Sequence, residues 1–256
     1  MIVSHHIERS PLLKLANWNV MLPVSPHRRE ALRSHIDQQQ ADVWVLTETH
    51  DGFTTGQPHC HSSAAGRDGK HKPEHRWVTI WSRFPIEPLE TSDEERTAAV
   101  RIKWDAETPF IVYGTVLPWI GSKWREFASA EGVAFREALA VQAADWNQLR
   151  QEYPDDEFFV IGDFNQDLVT PHYYGSRINR DALEAALQEA GLVALTGGEE
   201  DPIRRDSAPC ACIDHICARE DSRWQAEPAV RWPDVSVPDK KLTDHFGVSI
   251  AFTTRT

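Results

Sequence analysis

Residues 158–167 read Phe-Phe-Val-Ile-Gly-Asp-Phe-Asn-Gln-Asp: four apolar residues, a glycine, and then a group of polar side chains. The apolar run, with its two β-branched residues, predicts a short strand buried on both faces. Gly162 ends the run and permits the backbone to turn sharply or to approach a ligand closely. Asp163 and Asn165 are therefore predicted to project from the rim of a rigid sheet. The alternative is an Asx-type turn in which both side chains cap their own backbone.

A strand–helix–strand pattern precedes this stretch. Leu12 to Val20 predicts a strand, and Ser25-Pro26 is a suitable start for a helix, because proline is tolerated in a first turn. Leu32 and Ile36 would form the apolar face of that helix. Residues 42–48 predict a second buried strand that ends in a carboxylate. This order is typical of a layered α/β fold.

The rest of the chain predicts successive strands, which imply an antiparallel or mixed sheet, and two further helices. The predicted strands are residues 77–81, 83–86, 97–104, 109–117, 192–195, 212–218 and 248–252, and the predicted helices are residues 123–153 and 179–190. His50 to His75 is rich in Gly, His, Ser, Lys and Asp and predicts a long loop. Without an internal repeat or a linker, residues 1–256 are predicted to form a single domain.

Composition and charge narrow the class of protein. The 256 residues are 41% hydrophobic and 26% charged, which are values typical of globular proteins. The formal net charge of -12 argues against a protein that grips nucleic acid through phosphates alone. It fits a small phosphorylated substrate or carboxylates gathered around divalent cations. No apolar run reaches the roughly 18 residues of a membrane span. Met1 to Ser10 lacks a signal segment, and cysteine usage is low, so a cytoplasmic location is expected.

Two other polar groups have both a functional and a structural interpretation. His59-Cys60-His61, with His71 and His75, suggests a zinc site, but the spacing of tetrahedral ligands is incomplete and a mobile polar loop is preferred. Arginines 28, 29 and 33, like arginines 204 and 205, would form a local basic patch for nucleic acid. A solvated face is the preferred interpretation of each.

Polar residues recur beside the predicted strand ends. They are Asn19, Glu48, Asp163, Asn165, Asp214, Asp244 and His245. Each has an ordinary explanation alone, such as a turn or a surface ion pair. Buried carboxylates repel one another unless they are paired or bound to metal. If these segments converge, Mg²⁺ or Mn²⁺ would be the natural counter-charge, because both prefer oxygen ligands.

Six segments resemble, in the same order, the endonuclease/exonuclease/phosphatase superfamily of AP endonucleases, deoxyribonucleases, neutral sphingomyelinases and inositol-polyphosphate 5-phosphatases. They are Asn17-Trp18-Asn19-Val20, Leu46-Thr47-Glu48, Trp81-Ser82-Arg83-Phe84-Pro85-Ile86, Ile161-Gly162-Asp163-Phe164-Asn165, Ile213-Asp214-His215-Ile216 and Thr243-Asp244-His245-Phe246. The resemblance covers about residues 12 to 252. It implies a four-layer α/β sandwich, in which helices flank two mixed sheets, and metal-dependent hydrolysis of a phosphoester.

The resemblance also implies a role for each matching residue. Glu48 would be the main metal ligand, Asn19 would lie close to the metal or the phosphate, and Asp244 would support a second metal position or the first. The ion would be Mg²⁺ or Mn²⁺, acting as Lewis acid and template.

The remaining matches would act on the water and the phosphate. Asp163 would orient or deprotonate the attacking water. Asn165 would help to hold that water or the phosphate. His245 would contact the phosphoryl oxygens, and Asp214 would bind its other ring nitrogen and so fix its tautomer.

One departure from the family concerns the end of the strand at residues 111–117, where many members carry a histidine or a tyrosine. Val116 stands there and can neither donate a proton nor bind phosphate. Either Tyr113, Thr115 or a loop histidine substitutes, or the site is slower or has a different specificity. Trp119 beyond it would stack on a base or cover an edge of the core.

The leading hypothesis is a metal-dependent phosphodiesterase of nuclease type. A small-molecule or lipid phosphatase of the same fold is the alternative within the class. A binding or scaffold protein on a degenerate hydrolase fold is the alternative outside it.

Overall fold

The computed structural model of the chain describes most of its residues. They are residues 13–66, 72–104, 109–127, 132–205, 210–233, 239 and 241–254. In chain order the strands are β1 (Leu13–Asn19), β2 (Val43–His50), β3 (His59–Ser62), β4 (His75–Ser82), β5 (Ile86–Leu89), β6 (Thr97–Ile102), β7 (Phe110–Val116), β8 (Glu157–Asp163), β9 (Leu192–Ala194), β10 (Asp214–Arg219), β11 (Trp224–Ala226), β12 (Val230–Trp232) and β13 (Gly247–Thr254). The helices are α1 (Pro26–Gln39), α2 (Val133–Glu152), α3 (Arg177–Glu189) and the short α4 (Pro202–Arg205), with a 3-10 turn at Gly198–Glu200.

The strands form two sheets. The first has the order β11-β13-β1-β2-β4-β3, with β12 also paired to β13, and the second has the order β5-β6-β7-β8-β10-β9. β1 pairs with β2 and β7 with β8 in parallel, whereas the other pairs are antiparallel. Both sheets are therefore mixed, as predicted.

Side-chain alternation along the strands produces the layers. In β8, Phe159 and Ile161 join the core between the two sheets, while Phe158 and Val160 pack against the α2 and α3 side. On the outer face of the first sheet, Trp18 and Trp44 pack with residues of α1. The predicted four-layer α/β sandwich is confirmed.

The N-termini of α1 and α2 differ in how well the sequence predicts them. Ser25 caps α1, and its Oγ accepts a hydrogen bond from the backbone N of Arg28 at 3.3 Å. α2 begins at Val133, so the prediction of a helix from Lys123 was wrong at its N-terminal end. Gly132 stands before it with φ 70°, and the rings of Trp124 and Phe127 stack at 5.8 Å in an isolated bridge. Within the described ranges, no helix is both long and apolar enough to span a membrane.

Two predictions about residues 50–86 need correction. The expected loop from His50 to His75 contains β3, which pairs with the edge of β4 and whose polar residues give no apolar alternation. Residues 67–71 of that loop lie outside the described residues. The strand expected at residues 83–86 is β5, which starts at Ile86 and belongs to the second sheet, so it does not pair with β4.

Two glycines occupy places without room for a side chain. A Cβ on Gly162 would lie 1.9 Å from the carbonyl oxygen of Thr115, so the close approach expected at this glycine is made to β7. A Cβ on Gly114 would lie 2.6 Å from Cγ1 of Val78 in the facing sheet. Glycine at position 114 thus lets the two sheets pack closely.

Replacing Gly114 with alanine is expected to lower the free energy of unfolding by about 1–3 kcal/mol, because the added methyl group must displace Val78. Urea denaturation measures the loss. Gly121→Ala, in an exposed loop, is the control and should change stability by no more than about 0.5 kcal/mol. The double variant with Val78→Ala should lose less than the sum of the two single losses. A Gly114→Ala loss as small as that of the control would contradict the packing argument.

Candidate active site

Polar side chains from both sheets meet at one edge of the sandwich. They are Asn19 at the end of β1, Glu48 near the end of β2, Asp163 at the end of β8, Asp214 at the start of β10 and His245 before β13. The parallel strands end at this edge and the antiparallel strands begin there, which brings residues distant in sequence together. These five predicted site residues therefore converge.

Asn19 connects the carboxylates of the two sheets. Its Nδ2 donates to Oε1 of Glu48 at 3.2 Å and to Oδ2 of Asp163 at 3.0 Å. Its Oδ1 accepts a hydrogen bond from the backbone N of Met21 at 2.9 Å, which fixes the orientation of the amide. Asn17 makes a second link between the sheets, since its Nδ2 donates to the carbonyl oxygen of Gly162 at 2.9 Å.

Asp163, Asp214 and His245 form a compact group. Asp214 lies directly opposite Asp163 in the β8–β10 pairing, and both are almost fully buried. Oδ2 of Asp214 is 2.6 Å from Nδ1 of His245, and its buried Oδ1 has no hydrogen-bond partner within the described part of the chain. One potential ligand atom from each of the three residues lies within 4.8 Å of the others.

The electrostatics of this group shift two pKa values. Burial, together with the charges of Asp214 and Glu48, raises the pKa of Asp163 to about 7, although His245 acts in the opposite direction. Burial disfavours the charged imidazole of His245, but the charge and hydrogen bond of Asp214, with the charges of Asp163 and Asp244, raise its pKa to about 10. Near neutral pH, His245 is therefore a cation beside a carboxyl group that is close to its own titration point.

Asn165 takes part in an Asx-type turn. Its backbone N donates to Oδ1 of Asp163 at 2.9 Å, as that alternative predicted for the aspartate. The Asn165 side chain does not cap its own turn, because its Nδ2 donates to the carbonyl oxygen of Leu117 at 2.9 Å.

Asp244 and Val116 adjoin this group, and the ring of Trp119 packs on another tryptophan. Asp244 is half exposed, and its Oδ1 is 3.8 Å from Nε2 of His245. Trp119 is 38% exposed, and the centroid of its ring lies 6.1 Å from that of Trp77. Val116 pairs with Asp163 across β7 and β8 and belongs to the core between the sheets.

Arg28, for which a solvated face was preferred, is instead a bridge between loops at the site. Its Nε donates to the carbonyl oxygen of Leu242 at 2.6 Å and its Nη2 to that of Val20 at 2.7 Å. Partial burial lowers the pKa of Arg28, and the nearby charges of Asp244 and Glu48 oppose that shift. No local pattern in the sequence indicates this role, since it depends on contacts with distant segments.

Thr243 also links two parts of the site, and the Thr-Asp-His segment was its only signal. Its Oγ1 donates to the carbonyl oxygen of Asn19 at 2.7 Å and accepts from the backbone N of His245 at 3.2 Å. The loops that carry Asn19 and His245 are thereby held together.

The backbone is strained at several of these positions. Glu48 and Asn165 have φ values of 49° and 48°, and Met21 and Leu22 beside Asn19 both have 49°. For a residue other than glycine, this left-handed backbone conformation costs about 1–2 kcal/mol. Such residues persist only where surrounding contacts hold them, which is common at functional sites.

Among the residues that the structure describes, His59, Cys60, His61 and His75 do not come together as the suggested zinc site. His59 and His61 lie on β3 opposite Ser82 and Ile80, and His71 lies outside the described residues. His75 instead pairs with His50, and Glu74 lies near both.

The group formed by His50, Glu74 and His75 is poorly prepared for a metal. Nδ1 of His50 accepts hydrogen bonds from the backbone N of Gly52 at 2.9 Å and from Nη2 of Arg29 at 3.3 Å. A neutral ring whose Nδ1 accepts must carry its proton on Nε2, which leaves no lone pair for a cation.

The donor set at the sheet edge fits a hard divalent cation better. The carboxylates of Glu48, Asp163 and Asp214 supply oxygen ligands, and Oδ1 of Asp214 is buried and unpartnered within the described residues. Glu48 and its neighbours therefore offer the kind of oxygen ligands that a hard divalent cation prefers.

Comparisons with known proteins agree with this architecture. The sequence profile of the Endonuclease/Exonuclease/phosphatase family matches residues 16–245. A comparison with curated protein sequences finds no match. The structure is similar to the endonuclease domain of TRAS1, a telomere-specific non-LTR retrotransposon, with a TM-score of 0.67, 14% identity, and coverage of 96% of this chain and 100% of that chain.

Two further solved structures are similar over most of their length. An AP endonuclease from Archaeoglobus fulgidus has a TM-score of 0.60 at 15% identity, over 93% of this chain and 98% of that chain. A mannosyl-6-phosphatase from Bacteroides thetaiotaomicron has a TM-score of 0.61 at 14% identity, over 94% and 99%. At such identities the likeness shows a common fold.

Arg28→Gln is expected to lower the free energy of unfolding by about 1–3 kcal/mol, because two partly buried carbonyl groups lose a charged donor. Urea denaturation measures the change. Arg177→Gln, at an exposed arginine of α3, is the matched control and should change stability by no more than about 0.5 kcal/mol. Equal losses in the two variants would show that Arg28 does not bridge the loops.

Excess Mg²⁺ is expected to raise the melting temperature, with a larger gain at about pH 8.5 than at about pH 5.5. The pKa of Asp163 is raised to about 7 in the folded chain, so the unfolded chain ionises this group first. As pH rises from about 4 to about 7, the folded state loses stability from this group, and above that range its charge is present for Mg²⁺ to offset.

Differential scanning fluorimetry measures both shifts, with EDTA as the metal-free reference. Glu48→Gln should lose the Mg²⁺-dependent gain, whereas Glu137→Gln, an exposed glutamate of α2, should keep it. A gain that is unchanged in Glu48→Gln would place the metal elsewhere.

Proposed function

The chain belongs to the endonuclease/exonuclease/phosphatase family, and on that premise we propose that it hydrolyses phosphodiester bonds with the help of Mg²⁺ or Mn²⁺. One observation carries the proposal: Asn19 donates to both Glu48 and Asp163, and Asp214 lies between Asp163 and His245. A metal ligand, a base and a cation for the phosphate would thereby stand at one edge of the sandwich.

Glu48 is the proposed main ligand of the metal. Asn19 would keep its carboxylate in place, and Asp244 would support a second position. When bound, the divalent ion supplies Lewis-acid polarisation of a phosphoryl oxygen and a template for the substrate.

Asp163 is the proposed base. A group removes a proton from water most effectively when its pKa is close to the working pH, and the pKa of Asp163 is raised to about 7. The donors on Asn19 and on the backbone of Asn165 would fix its orientation toward the attacking water. Asn165 would help to position that water.

His245 is the proposed cation for the phosphate. With its Nδ1–H donated to Asp214, the protonated ring has Nε2–H left for a phosphoryl oxygen, where negative charge builds in the transition state. Asp214 would keep the ring in this orientation and stabilise its charge.

Two classes of substrate are candidates for this site. Two structural neighbours, an endonuclease domain and an AP endonuclease, favour a nucleic acid, and the exposed Trp119 would offer a surface for a base. A small phosphate ester is the second candidate. The net charge of -12 favours it, as does the neighbour described as a mannosyl-6-phosphatase. A cytoplasmic location stays a prediction.

We expect hydrolysis of bis-p-nitrophenyl phosphate, and of a labelled DNA duplex if nucleic acid is the substrate, in Mg²⁺ or Mn²⁺ and none in EDTA. Asp163→Asn should lower kcat by about 100-fold or more, because the base is lost. His245→Gln should lower kcat by a similar factor, because a transition-state contact is lost.

Asp181→Asn, an exposed carboxylate on α3, is the matched control and should retain wild-type activity. Hydrolysis that persists in EDTA or in Asp163→Asn would contradict the proposed mechanism. Mg²⁺ binding without turnover of either substrate would favour the small phosphate ester or a binding protein.

A further inference from the structure

Two of the expected substitutes for Val116 face away from the candidate site. The hydroxyl of Tyr113 donates to Oδ2 of Asp145 at 2.9 Å, and Oγ1 of Thr115 donates to Oε1 of Gln142 at 2.5 Å. Both bonds are buried against α2, on the other face of the second sheet. What adjoins Val116 at the edge of the sandwich therefore comes from a different strand.

A row of residues crosses the second sheet at this edge. Asp163 pairs with Asp214 of β10 on one side and with Val116 of β7 on the other. The backbone N of Val116 donates to the carbonyl oxygen of Arg96, directly before β6, at 2.9 Å. Neighbouring strands lie about 4.8 Å apart, so the backbone of Arg96 is on the order of 10 Å from that of Asp163. The row thus leads from the carboxylates, past Val116, to an arginine.

The side chain of Arg96 lies between the two sheets. It is almost fully buried, and its Cζ is 4.2 Å from the ring centroid of Trp77 in the facing sheet and 6.0 Å from that of Trp119. Trp77 stands on β4 beside Glu48 of β2, as the pairing of the residues on either side of both shows. A guanidinium and two indole rings therefore pack together next to the candidate site.

A cavity of about 580 Å³ opens beside this group, between the segment before β6 and the loop after β7. Its buried lining comprises Trp77, Asp93, Arg96 and Trp124. The volume is within the range of about 300–1,000 Å³ that is usual for cavities that hold small molecules. Trp119 adjoins the cavity, because its ring contacts two of these lining residues.

Hydrogen bonds fix the two walls of the cavity to each other. Nε1 of Trp124 donates to Oδ2 of Asp93 at 3.0 Å, and Nη2 of Arg125 donates to the carbonyl oxygen of Ser92 at 2.8 Å. The loop after β7 is also tied to the candidate site, because Nδ2 of Asn165 donates to the carbonyl oxygen of the first residue of that loop at 2.9 Å. The cavity is therefore built into the fold at a fixed position relative to the site.

The surfaces in and beside the cavity are planar. Cζ of Arg125 lies 4.2 Å from the ring centroid of Trp124, so a guanidinium stacks on an indole there, as Arg96 does on Trp77. Trp119 adds a ring that is 38% exposed. Indole rings and guanidinium planes are the surfaces on which proteins stack unpaired bases.

The charges at the rim of the cavity are mixed. Lys123 and Arg125 are exposed there, and so are Glu94 and Glu126. The carboxylates disfavour a second phosphate, whereas donors and acceptors side by side suit the polar edge of a base. An uncharged ring fits this lining better than a further phosphate group does.

We infer that this cavity binds the nucleobase next to the scissile phosphate, and that Trp119 determines the preference for a substrate that carries such a base. A single nucleoside can span the distance from the row of carboxylates to the cavity. This inference rests on the proposed phosphodiesterase function and names its substrate class, a nucleotidyl phosphodiester. The base belongs either to a nucleic acid strand or to a short nucleotide ester.

Two diesters with the same leaving group test the inference: thymidine 5′-(p-nitrophenyl phosphate), which carries a base, and methyl p-nitrophenyl phosphate, which carries none. The wild type should prefer the thymidine diester by about tenfold or more in kcat/KM, because the base gains a stacking surface. Trp119→Ala should lower that preference by about tenfold, and Trp119→Phe, which keeps an aromatic face, should restore most of it. Ile120→Ala, an exposed residue of the same loop, is the matched control and should keep the wild-type preference.

Saturation-transfer NMR in EDTA measures the cavity without the chemistry. Thymidine should receive saturation at its base protons from the wild type and from Ile120→Ala, and the signal should be lost in Trp119→Ala. Methyl 2-deoxyriboside, which has the sugar but no base, should receive none. Thermal melting of each variant checks that the fold is retained.

The outcomes separate the two proposals. Metal-dependent turnover without a preference for the thymidine diester, or a preference that Trp119→Ala leaves intact, overturns the assignment of the cavity alone. A wild type that hydrolyses neither diester contradicts the proposed function. In that case a thymidine signal that depends on Trp119 still supports the base site, and its absence overturns both.

The source of the base is distinguished by chain length. An oligothymidylate hydrolysed at least tenfold faster per bond than the dinucleotide TpT would identify a nucleic acid strand as the substrate. Equal rates would identify a short nucleotide ester.

Discussion

The burial of like charges side by side is the constraint around which this edge of the sandwich is built. Asp163 and Asp214 face each other on paired strands, where water cannot solvate both. Two hydrogen-bond donors and one cation offset the repulsion between these carboxylates. They are the amide of Asn19, the backbone N of Asn165 and the imidazolium of His245. Each of these comes from a different segment. The groups that offset the repulsion therefore come from distant parts of the chain, since Asn19 and His245 are more than two hundred residues apart in the sequence.

The hydrophobic core between the sheets provides the stability that offsets the cost of these buried charges. Close packing at Gly114 and the bond from Asn17 to the carbonyl of Gly162 fix the spacing of the sheets. Polar groups at the rim then have little freedom to relax away from one another. The left-handed backbone at Glu48 persists for the same reason, because a neighbouring loop residue, Leu22, donates to its carbonyl oxygen at 2.6 Å. Stability supplied by the core holds a site that would be unfavourable by itself.

Much of the fold was predictable, because its signals are local. The doubly buried strand at residues 158–161 and the cap at Ser25 depend on adjacent residues, as do the polar residues placed at strand ends. β3 was missed because a polar edge strand is defined by its partner and not by its own pattern. The position of Arg28 was not predictable either, since it depends on a contact with the carbonyl oxygen of Leu242 in a loop distant in the sequence.

The place of β13 in the first sheet has a consequence for biosynthesis. It follows every other described strand along the chain, yet it pairs with β1 and also with β11 and β12. Until the ribosome has released residue 254, the nascent chain presents β1 with an unpaired edge that invites association with other chains. His245 precedes that strand directly. Completion of the sheet and assembly of the polar cluster therefore depend on the same late segment of the domain.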